Sequence, residues 1–159
     1  MNLFDTNAVT AAILTHREHH EVANLVFSHH RTNLTAAIST HSLAEIYNVL
    51  TGRARIPTSD ALRLMQLNLQ NVKLVSLEPN EYQKALQRVS SSGLSGGVIF
   101  DALIAECALK IGAEALFTFN LRHFTLLGAD ISTTAYLCLT FELSICDKNP
   151  SHTQILLKN

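Results

Sequence analysis

Tryptophan is absent from the 159 residues, and cysteine is scarce at three. Cys107, Cys138 and Cys146 are odd in number and lack metal-ligand spacing, which excludes a disulfide scaffold and a cysteine-rich zinc module and points to a reducing compartment, the cytoplasm. An excess of one charge is also missing. The 12 Lys and Arg nearly balance the 13 Asp and Glu, and the net charge of −1 argues against a protein that coats nucleic acid non-specifically. It still permits a local basic patch beside an acidic pocket. No basic, apolar, small-residue leader opens the chain, and no apolar run approaches the ~20 residues that span a bilayer, so neither secretion nor membrane insertion is expected. Internal repeats and domain linkers are lacking too.

What remains is an ordinary globular composition, 47% hydrophobic, long enough to bury a core without metal or disulfides. The stretch around which the chain is organised runs from Gly97 to Phe124. Val98 to Ile111 is apolar on nearly every side, the pattern of a helix packed on more than one face. Asp101, Glu106 and Lys110 interrupt it. Glu106 and Lys110 have the i,i+4 spacing of a pair within the helix. Asp101 points elsewhere, and a carboxylate among Val, Ile, Phe, Ala and Leu requires a partner. Its alternative role is to complement the helix dipole in the first turn.

Short apolar runs at residues 1–5, 34–39, 72–77 and 115–119 read as strands, alternating with helical segments. That order predicts an α/β fold with a mostly parallel sheet and helices on both faces. Asp5 ends the first strand, where ligands sit in open α/β sheets, although Asp5 or Thr6 also suits the N-cap of the next helix. His16, His19 and His20 have metal-compatible spacing, but Val22, Ala23, Leu25, Val26 and Phe27 form the apolar face and leave the histidines of residues 16–30 mostly solvated. Glu45 falls early in a helix over 40–51, where Ser42 and Glu45 also match a capping box. Gly52 to Pro57 ends that helix and puts Arg53 and Arg55 on a loop. The Ser/Gly-rich segment 90–97 is a loop, and lacks the Gly-Lys-Ser/Thr of a phosphate-binding P-loop.

Asp5, Glu45 and Asp101 thus stand in related settings, with Asn120 at the end of the fourth strand. Clustered carboxylates repel unless a cation joins them, and oxygen ligands without thiolate favour Mg²⁺ or Mn²⁺. Such a metal polarises a phosphodiester and acidifies a bound water, so this inventory suits a nuclease. Arg53, Arg55 and Arg122 are the candidate phosphate contacts.

Four pieces of the sequence, Asp5-Thr6-Asn7, Ser42-Leu-Ala-Glu45-Ile-Tyr, Phe100-Asp101-Ala-Leu-Ile-Ala and Thr118-Phe-Asn120-Leu-Arg-His-Phe124, together resemble the PIN-domain family, most closely the VapC-type ribonuclease toxins. The resemblance runs through about residue 131. It implies a PIN-like α/β/α sandwich with four to five strands, Mg²⁺- or Mn²⁺-dependent endoribonuclease activity on RNA, homodimerisation, and a cognate antitoxin as partner. By position, Asp5, Glu45 and Asp101 match the family's acidic metal-site residues. Thr118 and Asn120 match its last motif, where many members have Asp in place of Asn, and Thr6 and Thr118 are candidate substrate-binding residues beside the acids.

Other readings stay open at the level of sequence. A housekeeping ribonuclease and a catalytically idle RNA- or protein-binding PIN module share these motifs. A phosphatase of the haloacid-dehalogenase type also begins with a strand ending in Asp, but it needs an acid two residues later, where this chain has Asn7. Residues 132–159 form an extension to the 1–131 domain. In it Leu139, Phe141, Leu143 and Ile145 alternate with polar residues, the pattern of an edge strand over 138–146 before a flexible tail. The family's last strand is expected near Ala129 to Thr133.

Overall fold

The structure is a computed structural model that describes residues 1–137. The edge strand expected over 138–146 and the tail after it lie outside those residues. Among the described residues five short parallel strands form the sheet: Asn2–Phe4 (β1), Ala36–Ser39 (β2), Lys73–Val75 (β3), Ala115–Thr118 (β4) and Ala135–Leu137 (β5), in the order β3-β2-β1-β4-β5. Between them run Thr6–Ile13 (α1), His20–Thr32 (α2), Thr40–Asn48 (α3), Thr58–Asn68 (α4), Pro79–Ser91 (α5), Val98–Lys110 (α6), Leu121–Leu126 (α7) and Ala129–Ser132 (α8). Residues Val49–Arg53 continue α3 as a π-helical turn. Among the described residues no helix is long and apolar enough to cross a membrane.

Parallel strands need both faces covered, and the alternation along each strand divides the core in two. Phe4, Ala36, Ile38, Ala115 and Phe117 face α1, α2, α3 and α4, whereas Leu3, Ala37 and Leu116 face α5, α6, α7 and α8. Helix α6 explains its own composition: Ala102 through Ala108 are buried without interruption, and seven consecutive residues sweep nearly two turns, so no side of this part faces water.

The strand order locates the ligand crevice. From β1 the chain steps to β2 and β3 on one side, then returns past β1 to β4 and β5 on the other. The reversal lies between β1 and β4, and their carboxyl ends are where such sheets bind ligands. Asp5 leaves β1 and Asn120 follows β4 at that point.

Several local expectations need correction. Glu106 and Lys110 do not pair with each other: Glu106 accepts from Arg88 Nε at 2.8 Å and Lys110 donates to Glu81 at 2.7 Å, so both tie α6 to α5. His30 is buried, only 7% exposed, against Phe4 and Phe117, and burial pushes its pKa down to about 4. A helix face wider than the apolar stripe seen in sequence accounts for it. Ser42 and Glu45 form no capping box, because α3 begins three residues earlier than a Ser42 cap requires, with Ser39 Oγ accepting from His41 N. Leu34 has φ 57° and is exposed, so β2 starts only at Ala36. Arg53 belongs to the π-helical turn rather than a loop. Residues 129–132 are helical, and the last described strand comes at 135–137, beyond residue 131.

Candidate active site

Asp5 occupies the N-cap position of α1, yet its side chain makes no capping bond. Instead Oδ2 accepts from the Thr118 hydroxyl of β4 at 2.7 Å. That hydroxyl also accepts from Asn120 N at 2.8 Å and from Asn7 Nδ2 at 3.3 Å, while Asn7 Oδ1 accepts from Phe119 N at 3.0 Å. One threonine thus fixes the ends of both strands at the crevice. Asp5 is 3% exposed, and its pKa is pushed up to about 7. Burial is the main cause; the Thr118 hydroxyl opposes it, and Asp101 and Glu45 raise it further.

Glu45 projects from α3 and accepts from the Thr6 hydroxyl at 2.8 Å. The sequence separates these residues widely, so the bond depends on α1 packing against α3. Asp101, in the first turn of α6, takes His123 Nδ1 as its partner at 2.7 Å. Burial raises its pKa, His123 counteracts the rise, and Glu45 adds to it. Asn120 also touches His123 Nδ1 through its amide. A ring nitrogen offers either one hydrogen or one lone pair, so while Nδ1 donates to the Asp101 carboxylate it has no lone pair to accept from the Asn120 amide.

These groups open into a groove of about 710 Å³ whose walls include Asp5, Thr6, Glu45 and Asp101, with Arg17 and Arg53 among the lining cations. The sequence-derived acids are therefore brought together at one opening. Thr118 and Asn120 support it from below through Asp5 and His123. Arg55, with φ 54°, and Arg122 are exposed and do not line the groove. Sequence reasoning gave no role at this site to Asn7, Arg17, His41 or His123, and it left His19 among the solvated histidines. For His123 a signal was present: Asn120 and His123 stand three apart at the start of a helix, one face of its first turn.

The donor set bears on metal binding. Asp5, Glu45, Asp101 and the Asn120 amide are oxygen donors of the kind hard cations take. Among the described residues no three His, Cys, Asp or Glu side chains are gathered closely enough to hold a metal by themselves. A hard cation bound here would have to keep several of its waters and take only one or two protein carboxylates directly, as Mg²⁺ does.

Three solved structures share this architecture. The VapBC2 complex of Rickettsia felis, bound to a DNA fragment from their promoter, is 20% identical and superposes with a TM-score of 0.64, covering 86% of this chain and 97% of that one. VapC20 of Mycobacterium tuberculosis, a Sarcin-Ricin loop cleaving toxin, is 15% identical with a TM-score of 0.62, covering 73% and 87%. PAE2754 of Pyrobaculum aerophilum is 21% identical with a TM-score of 0.63, covering 92% and 96%. No curated protein sequence matches the chain significantly. The structural likenesses speak for the fold, while the family model for the PIN domain matches residues 3–127 and so takes in β1 through α7 with Asp5, Glu45, Asp101 and Asn120 inside it. With that match spanning most of its length, the chain belongs to the PIN domain family.

Proposed function

We propose that this protein is a Mg²⁺- or Mn²⁺-dependent endoribonuclease and the toxin of a toxin-antitoxin pair, acting in the cytoplasm as a homodimer. The observation that carries the catalytic part is the buried Asp5 carboxylate, held by Thr118 beside Glu45 and Asp101 at the crevice between β1 and β4. Asp5 and Asp101 would hold the cation, with Glu45 holding it or orienting its water. When bound, the cation supplies Lewis acidity to the phosphodiester and lowers the pKa of a water.

The chain's own residues do the positioning. Thr6 fixes the Glu45 carboxylate, Thr118 fixes Asp5, and His123 orients both Asp101 and Asn120. Asn120 brings no charge, so it aligns the water or the phosphate and leaves the acids to bind the metal. Arg53 and Arg17, which line the groove, are the cations that phosphates of the bound strand would meet. The resemblance to VapC toxins supports the partner and the second copy.

Purified protein should cut total cellular RNA internally with Mg²⁺ or Mn²⁺ and stop on chelation. Asp101→Asn should lower the rate about 10²–10³-fold. Equal cleavage by the two proteins would overturn the assignment, and metal-independent RNA binding without cleavage would leave an idle RNA-binding module. Expression alone should slow growth. Harmless expression of an active enzyme would favour a housekeeping ribonuclease over a toxin.

A further inference from the structure

The histidines of this molecule are not equivalent. His30 is buried in the core, His20 Nδ1 meets the Ala11 carbonyl, His29 Nε2 meets the Asn33 amide, and His123 Nδ1 is taken by Asp101. Two others, His19 and His41, line the acidic groove. His19 has the Glu18 carboxylate at 3.6 Å, whereas neither ring nitrogen of His41 has a hydrogen-bond partner among the described residues.

What holds His41 in place is another ring. It lies on Phe100 with centroids 5.0 Å apart and planes at 15°. Phe100 directly precedes Asp101 on α6, and His41 stands one helical turn before Glu45 on α3, so the stack is built on the two helices that carry those carboxylates. A stack occupies the face of an imidazole and leaves its edge, with both nitrogens, unengaged beside the groove.

The strand order then sets sides. Strand β1 lies between β2 and β4, so Asp5 at the end of β1 has His41 following β2 on one side and Asn120 following β4 on the other. An in-line displacement at a phosphodiester has two such sides, because the attacking water enters opposite the oxygen that leaves. The leaving alkoxide is a strong base that needs a proton, and imidazole is the side chain that most often gives one. Arg17 and Arg53 do not serve, since a guanidinium stays charged in proteins.

We propose that His41 is the general acid of the cleavage, protonating the oxygen that leaves phosphorus while the water aligned by Asn120 attacks from the other side. The water oxygen bonds to phosphorus as the bond from phosphorus to the leaving ribose oxygen breaks. That oxygen takes a ring proton from His41, and His41 regains one from solvent, into which the proton shed by the water passes. The proposal rests on the ribonuclease reading above and gives a role to a residue which that reading does not use.

The test uses the full chain in Mn²⁺ with a short RNA spanning a cut site mapped on total cellular RNA, made with either oxygen or sulfur at the bridging position that leaves. A thiolate leaves without needing a proton. His41→Phe keeps a ring on Phe100 and His41→Gln keeps a hydrogen-bond donor, but neither can hand over a proton. Each should cut the oxygen RNA about 10²–10⁴-fold more slowly than wild type and the sulfur RNA at close to the wild-type rate. Both should bind the oxygen RNA in chelator as wild type does, and cleavage of the sulfur RNA shows that they are folded. Wild-type cleavage of the oxygen RNA by either variant would overturn the proposal, leaving His41 to stacking if phenylalanine suffices and to hydrogen bonding if glutamine does. An equal loss on both RNAs would overturn it as well. Cleavage by wild type and variants alike sinks this proposal alone, whereas a wild type that cuts no RNA with Mg²⁺ or Mn²⁺ sinks the ribonuclease reading and this proposal with it.

Discussion

The Thr118 hydroxyl donates to Oδ2 of Asp5 at 2.7 Å and joins the carboxyl ends of two adjacent parallel strands from opposite ends of the domain. It is fully buried, and in accepting from Asn120 N it also sets the start of the segment that carries Asn120 and His123. Thr118→Val keeps the shape and removes all of these bonds. It should lower stability by about 1–3 kcal/mol through the unpaired buried groups. It should also move the alkaline shift of Asp5 still higher, because the hydroxyl is the chief group holding that pKa down. Denaturant unfolding and the pH dependence of cleavage measure the two effects.

Asp5 titrates near 7 in the fold against an ordinary 3.8. Between about pH 4 and pH 7 the folded protein therefore keeps a proton that the unfolded chain has released, and stability contributed by this group falls as pH rises through that window. Asp5→Asn has no charge to bury. In chelator it should melt several degrees above wild type at pH 8, and the gap should narrow as pH is lowered toward 4. A pH-independent gap would show that Asp5 is ionised throughout.

A cation that binds the ionised carboxylates stabilises the folded state by mass action. Mg²⁺ should accordingly raise the melting temperature of wild type at pH 8 and have little effect at pH 5, where Asp5 is protonated. Neither Asp5→Asn nor Asp101→Asn should respond as wild type does. Calorimetry at the two pH values provides the measurement.

His123 touches no part of the acid triad except Asp101, and it shares Nδ1 with Asn120. His123→Ala should reduce metal affinity or cleavage about 10–100-fold, the usual effect of losing a group that orients a ligand. His123→Asn, which can still donate to Asp101, should recover part of it. A rate equal to wild type in the alanine variant would remove His123 from the site.

On the far side of the molecule, Arg88 of α5 binds Glu106 of α6, and it donates to both carboxylate oxygens of Asp130 and to the Leu127 carbonyl. Its side chain is 19% exposed and that of Glu106 only 9%. Arg88→Ala leaves a buried carboxylate unpaired and should cost about 3 kcal/mol in urea unfolding. Cleavage measured well below the midpoint should be unaffected, since these residues do not line the groove.

From β1 to β4 the sequence by itself determined the order and type of the main strands and helices, because apolar period and breaker residues are local properties. It also determined which acids stand at strand ends and helix starts: Asp5 after β1, Asp101 in the first turn of α6, and the apolar surroundings that make Asp101 need a partner. Only the tertiary structure decided who the partners are. Helical spacing offered Lys110 to Glu106, but packing of α5 against α6 delivered Arg88, whose planar donor group reaches Glu106 and Asp130 together. Local polarity put the α2 histidines in water, while the sheet's Phe4 and Phe117 drew His30 inside. His123 and Asp101 meet because the crossover from α6 through β4 returns the chain to the same crevice. Side-chain periodicity fixes which face of an element is apolar, but the parallel strand order and the packing of helices on it fix what that face meets.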